Sequence, residues 1–148
     1  MEKLAVVSSS PLFEMLSSAE LSRLAELAEP RRYPAGGVVF EEGELGDSLY
    51  LLVHGEVEVR RREGADSHVL TVLGAPAFFG EMSVIDHEYR SATIRARTEA
   101  ELLRLTTEHL ATFRQQHRDG FTFVVINIAR SLSARLREAN VRLSARQA

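Results

Sequence analysis

The fold of this chain is most constrained by a change of hydrophobic period along it. Between Val38 and Leu105 the apolar residues fall in short runs, separated by glycine and by charged turns. Runs of this length are typical of β-strands that follow one another at short intervals. Six segments have this character, at residues 38–40, 49–53, 56–60, 69–73, 92–94 and 102–105. The middle of the chain is therefore predicted to form a β-sandwich or a β-barrel.

A helical period precedes this β region. Leucines recur at helical spacing over residues 21–27, and Ser17 and Glu20 have the spacing of a capping box, in which each side chain bonds the backbone N–H of the other residue. We therefore expect one helix over residues 12–29, ended by Pro30.

Two further helices are predicted after the β region. The first covers residues 107–118, Asp119 and Gly120 are expected to interrupt it, and the last covers residues 120–145. One face of the last helix is apolar and comprises Val125, Ile128, Leu132, Ala139 and Leu143, with Leu136 beside them. Either the β region or the same helix of a second chain, in a homodimer, could cover this face, and the sequence leaves both open.

Composition excludes several classes of protein. The 148 residues fit one domain, and the absence of cysteine excludes disulfides, thiolate zinc sites and thiol nucleophiles. No apolar run approaches the roughly 20 residues of a membrane span, and the N-terminus has no secretory signal. The histidines lack the spacing of a metal site, and no catalytic triad or Walker loop stands out. We expect a non-catalytic cytoplasmic domain with no metal, no cofactor and no membrane contact.

Charge is unevenly distributed along the chain. The net charge of −3 argues against a nonspecific nucleic-acid binder. The last segment is nevertheless basic, with Arg130, Arg135, Arg137, Arg142 and Arg146 set against Glu138. This segment could meet an acidic partner, or it could be a solvated helix face.

One segment, FGEMSVIDHEYRSAT at residues 79–93, predicts a ligand site. Gly80 lets a backbone approach a ligand closely, and Glu81 can accept hydrogen bonds from hydroxyl groups. Residues 82–85 could form one helical turn, whose free N–H groups favour an anion. Arg90 supplies a planar set of donors that matches two phosphate oxygens. Together these residues predict a small ligand with one phosphate group and a sugar hydroxyl.

This segment, together with FEEGELGDSLY at residues 40–50 and HGEVEV at residues 54–59, resembles the cyclic nucleotide-binding domain family. The resemblance implies an α+β fold, an eight-stranded β-roll (a jelly-roll-like double-stranded β-helix) with an N-terminal helix and two C-terminal closing helices. It implies a single domain over residues 1–148, with the roll at residues 31–106 and a phosphate-binding cassette at residues 79–93.

The resemblance also assigns ligand contacts to residues of this chain. It implies that Glu81 accepts a hydrogen bond from the ribose 2′-hydroxyl, that Arg90 pairs with the cyclic phosphate, and that the backbone amide of Ser83 faces the phosphate. The remaining cassette contacts are Gly80, Met82, Ser91 and Ala92, and the apolar lining of ribose and base is Val59, Val72 and Ile85. The resemblance implies that Val84 is the hydrophobic hinge residue of the family, which senses movement of the cassette.

Two places depart from the family pattern. Tyr89 stands where many members have proline before the arginine, which predicts a less rigid loop into the phosphate site. In the last helix, Ala139 and Asn140 stand where transcription activators of the family have a threonine–serine pair that reads adenine. Asn140 can donate and accept hydrogen bonds towards a base edge, whereas Ala139 cannot.

The function implied by the resemblance is that of a sensor. Binding of a 3′,5′-cyclic nucleotide, with cyclic AMP favoured and cyclic GMP left open, would move the last two helices and so regulate an effector protein that the sequence does not identify. No direct DNA binding is expected, because the chain carries no DNA-reading segment after its closing helices. The alternative is a ligand-free protein-interaction module with a degenerate cyclic nucleotide-binding fold.

Overall fold

The computed structural model describes residues 2–147, in which helices precede and follow a β-structure along the chain. The helices are α1 (Lys3–Ser9), α2 (Ser18–Leu27), α3 (Thr107–Gln116) and α4 (Arg118–Gln147). The strands are β1 (Glu29–Tyr33), β2 (Val38–Phe40), β3 (Ser48–His54), β4 (Glu56–Glu63), β5 (Asp66–Gly74), β6 (Ala77–Phe79), β7 (Thr93–Ala96) and β8 (Ala100–Thr106). Short 3₁₀ helices lie at Pro11–Phe13 and Glu81–Val84.

The eight strands form two four-stranded antiparallel sheets. Their strand orders are β1-β8-β3-β6 and β2-β7-β4-β5. Strands that are distant in sequence pair with each other, β1 with β8 and β2 with β7, so the chain rolls back on itself. Apolar side chains from both sheets meet in one core cluster between them. The predicted α+β fold, an eight-stranded β-roll flanked by helices, is confirmed.

Strand β3 separates two hydrophobic cores. Its residues alternate between the faces of the sheet, as successive strand residues must. Leu49 and Leu51 pack into a core formed with the helices, whereas Tyr50 and Leu52 pack into the interior of the roll. All four are nearly inaccessible to solvent. The continuous apolar run at residues 49–53 therefore reflects a strand that is buried on both faces.

Two of the eight strands carry no strand pattern in the sequence. Strand β1 reads Glu-Pro-Arg-Arg-Tyr, yet it pairs with β8 along its whole length, from Glu29 opposite Arg104 to Tyr33 opposite Ala100. It lies at the edge of its sheet, where the missing N–H of Pro30 is tolerated. Strand β6 has only three residues and pairs with β3. Both strands form because a neighbour offers a partner for their backbone.

The N-terminal helical region differs from the single helix expected over residues 12–29. A 3₁₀ helix at Pro11–Phe13 is followed by Met15 in a left-handed conformation (φ 75°), and α2 begins only at Ser18. The capping box of Ser17 and Glu20 is confirmed, and it starts a new helix at this point. The sequence patterns also missed α1, which precedes this region.

The expected break at Asp119 and Gly120 is wrong. Both residues lie in the first turn of α4, and the chain turns at His117, which ends α3. Gly120 serves a different purpose, because a Cβ atom at this position would lie 2.5 Å from the Glu20 carboxylate. The glycine therefore allows α2 and α4 to approach closely.

The apolar face of α4 is covered over only part of its length. Val124, Asn127 and Ile128 are buried, and the Asn127 side chain donates hydrogen bonds to the carbonyls of Leu12 and Glu14. Every residue at 133–145 is exposed. The exposed residues include the predicted stripe positions Leu136, Ala139 and Leu143. The 3₁₀ helix Pro11–Phe13, α3 and the 3₁₀ helix Glu81–Val84 therefore cover the first part of α4, and the second part is left bare. In residues 2–147 no helix combines the length and the apolar character needed to cross a membrane.

Candidate ligand-binding site

A cavity of about 560 Å³ opens between the β-roll, the segment after β6 and the side of α4. Eight of the sequence-predicted site residues line it, namely Val59, Gly80, Glu81, Met82, Ser83, Arg90, Ser91 and Ala92. These residues come from β4, from the 3₁₀ helix Glu81–Val84 with the glycine before it, and from the segment leading into β7. The fold thus brings together residues that are up to 33 positions apart in the chain, from 59 to 92.

Gly80 forms the turn that connects β6 to the 3₁₀ helix. Its φ of 78° lies in the left-handed region, which residues with a Cβ avoid. A Cβ atom would also lie 2.9 Å from Arg90 Nη1 and 3.0 Å from the Ser48 carbonyl oxygen. Gly80 therefore provides both the backbone conformation and the space that the Arg90 side chain occupies.

The Arg90 guanidinium is held at the wall of the cavity, and the residue is only 8% exposed. Its Nη2 donates to the Ser48 carbonyl at 2.8 Å, and its Nη1 donates to the Gly80 carbonyl at 3.2 Å. The Phe40 ring lies under the guanidinium, with 3.9 Å between Cζ and the ring centre. These neighbours fix the orientation of the side chain without cancelling its charge.

The charge of Arg90 is only weakly compensated by carboxylates. Asp47 Oδ1 lies 3.8 Å from Nη2, and the Asp47 side chain is largely exposed to solvent. Burial lowers the pKa of the Arg90 guanidinium, while Tyr50, Asp47 and Glu44 act in the opposite direction. Because an arginine remains protonated at neutral pH, the cavity wall presents a cation to a ligand.

Glu81 is the buried acid of the cavity, with 2% of its surface exposed. Its Oε1 accepts a hydrogen bond of 2.9 Å from Nη1 of Arg135, a residue of α4 whose side chain is about half exposed. The Arg135 guanidinium also lies 5.8 Å from the Phe78 ring centre. The long C-terminal helix is thereby connected by an ion pair to the first residue of the 3₁₀ helix.

Ser83 faces the protein interior in this structure. Its hydroxyl donates to the Gly80 carbonyl at 2.8 Å and is 3.2 Å from the Ser48 carbonyl oxygen. Its backbone N–H makes a long contact of 3.4 Å with the Gly80 carbonyl. This long contact and the position of Ser83 in the cavity lining leave the expectation that its amide faces a phosphate group as a prediction.

The loop that precedes Arg90 is tied to a neighbouring loop by backbone hydrogen bonds. Arg90 N donates to the Glu44 carbonyl at 2.6 Å, and the Arg90 carbonyl accepts from Gly43 N at 2.9 Å. Gly46 N donates to the Glu88 carbonyl at 3.1 Å. Tyr89 itself is mostly exposed and forms an isolated β-bridge with Leu45. The backbone of Arg90 is thus fixed by this pairing, although Tyr89 stands where many members of the resembled family have proline.

Strand register decides which residues of β5 reach the cavity. Val59 of β4 is opposite Thr71, whereas Glu58 is opposite Val72. Because side chains alternate between the faces of a sheet, Thr71 shares the cavity face with Val59 and Val72 lies on the other face. Thr71 and Leu73 line the cavity, and Val72 does not. The assignment of Val72 to the lining is corrected accordingly.

Ile85 and Asn140 also lie outside the cavity lining. Ile85 follows the 3₁₀ helix and is 44% exposed. Asn140 is in the exposed second part of α4. Val84, the expected hinge residue, packs against the core that the helices share, and the 3₁₀ helix contacts both α3 and α4.

Several residues of the site were missed by reasoning from the sequence. Arg135 stood out only as part of a basic segment, because nothing in the sequence places it next to a residue 54 positions away. Ser48 and Phe40, which hold Arg90, lie on strands β3 and β2 and looked like ordinary strand residues. Local spacing could not reveal these three residues, since each acts through a contact made by the roll.

Comparison with known proteins agrees with this geometry. The family profile described as "Cyclic nucleotide-binding domain" matches residues 30–117. The cyclic AMP receptor protein of Thermus thermophilus is 38% identical over 136 residues, which cover 90% of this chain and 61% of that protein. A cyclic nucleotide-gated potassium channel of Rhizobium etli is 42% identical over 100 residues, which cover 68% of this chain and 27% of the channel.

A solved structure has a similar fold along almost the whole chain. It is a cyclic nucleotide-binding domain from Methylobacillus flagellatus, with a TM-score of 0.83 and 29% sequence identity. The superposition covers 98% of this chain and 82% of that one. The chain spans less than two thirds of the length of the two relatives named above.

Proposed function

The chain belongs to the cyclic nucleotide-binding domain family, and from this membership we propose that its cavity binds a 3′,5′-cyclic nucleotide, with cyclic AMP preferred. The observation that carries the proposal is the placement of Glu81 and Arg90, two almost fully buried groups of opposite charge on one cavity wall. Buried ionisable side chains are rare unless they are paired or bind a ligand, and Arg90 is paired only weakly, with Asp47 Oδ1 3.8 Å from its Nη2.

The two groups suit the two polar parts of such a ligand. Arg90 can donate two parallel hydrogen bonds to the cyclic phosphate. Glu81 can accept a hydrogen bond from the ribose 2′-hydroxyl. Ser91, through its hydroxyl, and Met82 and Ala92, through their backbone N–H groups, complete the polar end of the cavity, and Val59 faces the base and the ribose.

The domain acts as a sensor without catalytic activity. The ion pair between Glu81 and Arg135 connects the ribose end of the cavity to α4. A nucleotide that engages Glu81 changes the environment of this pair and so favours a different position of α4. Val84 transmits the same change through its contacts with the helical core. The sensor works in the cytoplasm and regulates an effector protein rather than binding DNA itself.

Two residues outside the cavity could still take part after α4 has moved. Asn140 would then approach the base, and Ile85 would cover the ribose from the end of the cassette. In addition, the exposed second part of α4 pairs with the same helix of a second chain, which covers its leucines.

Isothermal titration calorimetry tests the proposed ligand. Cyclic AMP and cyclic GMP are titrated separately into the wild-type chain and into the Arg90→Ala variant. We expect the wild type to bind cyclic AMP more tightly, and the variant to lose about 2–5 kcal/mol of binding free energy, the range for removing one partner of a buried charge pair.

Arg61→Ala is the control for this experiment, because Arg61 is exposed on β4 and does not line the cavity. It should bind like the wild type. If millimolar nucleotide gives neither heat nor thermal stabilisation with the wild type, the sensor is ruled out, and the ligand-free interaction module becomes the better description.

A further inference from the structure

A second cavity, of about 820 Å³, lies between the end of the 3₁₀ helix Glu81–Val84 and the two C-terminal helices. It shares no lining residue with the cavity of about 560 Å³ that we propose binds the nucleotide, which we call the nucleotide cavity. One wall is formed by Val84 and His87, and the other walls belong to α3 and to the first turns of α4. We call it the helix groove.

The floor of the helix groove is apolar. Leu110 of α3 is buried, and Val84, Phe121 and Val125 are partly buried and face the groove. A large apolar side chain placed on this floor would be removed from water, which is favourable. The floor is thus suited to one large apolar side chain.

The rim of the helix groove is positively charged. Arg114 and Arg118 line it and are exposed, and neither forms an ion pair within the part of the chain that the structure describes. No carboxylate is among the described residues that line the groove. The Arg114 guanidinium lies 5.5 Å from the Phe121 ring centre, so the cation is held over the floor.

The charge of the rim is a local property, because the whole chain has a net charge of −3. Asp86 and Glu88, the acids on either side of His87, line the nucleotide cavity instead of the groove. A second copy of α4 is a poor occupant, since its exposed part is itself rich in arginine. Charge complementarity therefore favours an acidic occupant from another protein.

We propose that the helix groove is the docking site for an acidic peptide segment of an effector protein. One large apolar side chain of this segment lies on the floor, and carboxylates before and after it pair with Arg114 and Arg118. Arginine is well suited to this role because its guanidinium can bind a carboxylate through two parallel hydrogen bonds.

Docking at this site would be coupled to the nucleotide cavity, and this step rests on the proposed function. The wall with Val84 and His87 belongs to the cassette, whereas the other walls belong to the closing helices. Movement of the cassette against those helices changes the width of the groove. The nucleotide then changes the affinity for the peptide, and by linkage the peptide changes the affinity for the nucleotide by the same factor.

Selection from a phage-displayed library of random 12-residue peptides tests the docking site. The library is selected on the full chain saturated with cyclic AMP and, in parallel, on the chain without nucleotide. We expect enrichment of acidic peptides that contain a large apolar residue. One enriched peptide is then synthesised with a fluorescent label, and its affinity is measured by fluorescence polarisation.

The expected result is at least about a tenfold loss of peptide affinity in the Arg114→Glu/Arg118→Glu variant, because both rim charges are reversed. Arg114→Gln/Arg118→Gln serves as a milder second variant that should show a smaller loss. Arg61→Glu/Arg97→Glu, which reverses two exposed charges outside the groove, should bind the peptide like the wild type.

Three outcomes would contradict the proposal at different points. Enrichment of basic or purely apolar peptides, or of none, would rule out an acidic partner. Equal binding to the wild type and to both rim variants would place the peptide elsewhere. An affinity that cyclic AMP does not alter, in a chain that calorimetry shows to bind it, would rule out the coupling. Failure of the nucleotide proposal itself would instead appear as absent calorimetric binding by the wild type.

Discussion

At the residue scale, the cavity depends on glycine at position 80 for two separate reasons. The positive φ makes any residue with a Cβ unfavourable there, and the space next to the backbone is filled by the Arg90 guanidinium. Gly64 has only the first of these properties, since its φ is 63° and nothing lies within 4 Å of the position of a Cβ. Substitutions at Gly64 and Gly80 therefore allow the cost of the left-handed backbone and the cost of the missing space to be measured separately.

Gly64→Ala should lower the free energy of unfolding by about 1–2 kcal/mol, the cost of a left-handed conformation. Gly80→Ala should lower it by roughly 1–3 kcal/mol more, because the methyl group also has to displace Arg90 or Ser48. Chemical denaturation measures both changes. Nucleotide titration should show weaker binding only for Gly80→Ala. Equal effects of the two substitutions would mean that Arg90 does not need the space beside Gly80.

At the element scale, β-strand alternation and the long C-terminal helix decide what reaches the cavity. The register of β4 and β5 selects Thr71 and excludes Val72. Helix α4 contributes Arg135, whose partner Glu81 lies at the start of the 3₁₀ helix. The element that would move in a sensor is therefore attached to the cavity by one ion pair.

Replacing Arg135 with alanine should uncouple α4 from the cavity while nucleotide binding persists. Because the Arg135 side chain is about half exposed whereas Glu81 is buried, its loss should change binding by less than the Arg90→Ala substitution does. The chain lacks cysteine, so spin labels can be placed on cysteines introduced for Ser67 in β5 and Ser144 in α4. Pulsed electron paramagnetic resonance then measures the distance between the labels with and without cyclic AMP.

We expect cyclic AMP to shift this distance in the wild type and to shift it much less in the Arg135→Ala variant. Arg137→Ala is the matched control, since Arg137 is also on α4 but contacts only Ser133 of the same helix among the hydrogen bonds described for it. If Arg135→Ala keeps the full shift, the ion pair does not transmit the signal.

At the scale of the whole molecule, the bare part of α4 predicts self-association. Leu136 and Leu143 are 65% and 55% exposed and lie seven residues apart on the same face. Light scattering should give the wild type twice the monomer mass of 16.5 kDa. The Leu136→Glu/Leu143→Glu variant should give the monomer mass, because two charges would face each other across the dimer interface.

The control for self-association is Ala134→Glu/Ala145→Glu, which adds the same charge on the opposite side of the helix. It should remain a dimer. A monomeric wild type, or a monomeric control, would mean that the leucine face does not form the interface.

Much of the site could be predicted because its main chemistry lies in one short segment. Gly80, Glu81 and Arg90 are within eleven residues of one another, and their local spacing predicted a small ligand with a phosphate and a hydroxyl. Strands β1 and β6 could not be predicted in the same way, since each forms by pairing with β8 or β3. Arg135 and Ser48 escaped prediction because their roles depend on contacts across the fold.

By itself, the sequence determined the class of fold and the two buried charged residues of the cassette, Glu81 and Arg90, because hydrophobic period, turn residues and the spacing of the cassette are local properties. Only the tertiary structure decided how those residues are held. The two-sheet roll brings the Ser48 carbonyl and the Phe40 ring to Arg90 and selects one face of β5. The packing of α4 places Arg135 on Glu81 and opens the helix groove beside α3. Such contacts join residues that are distant in the chain, and no local pattern encodes them.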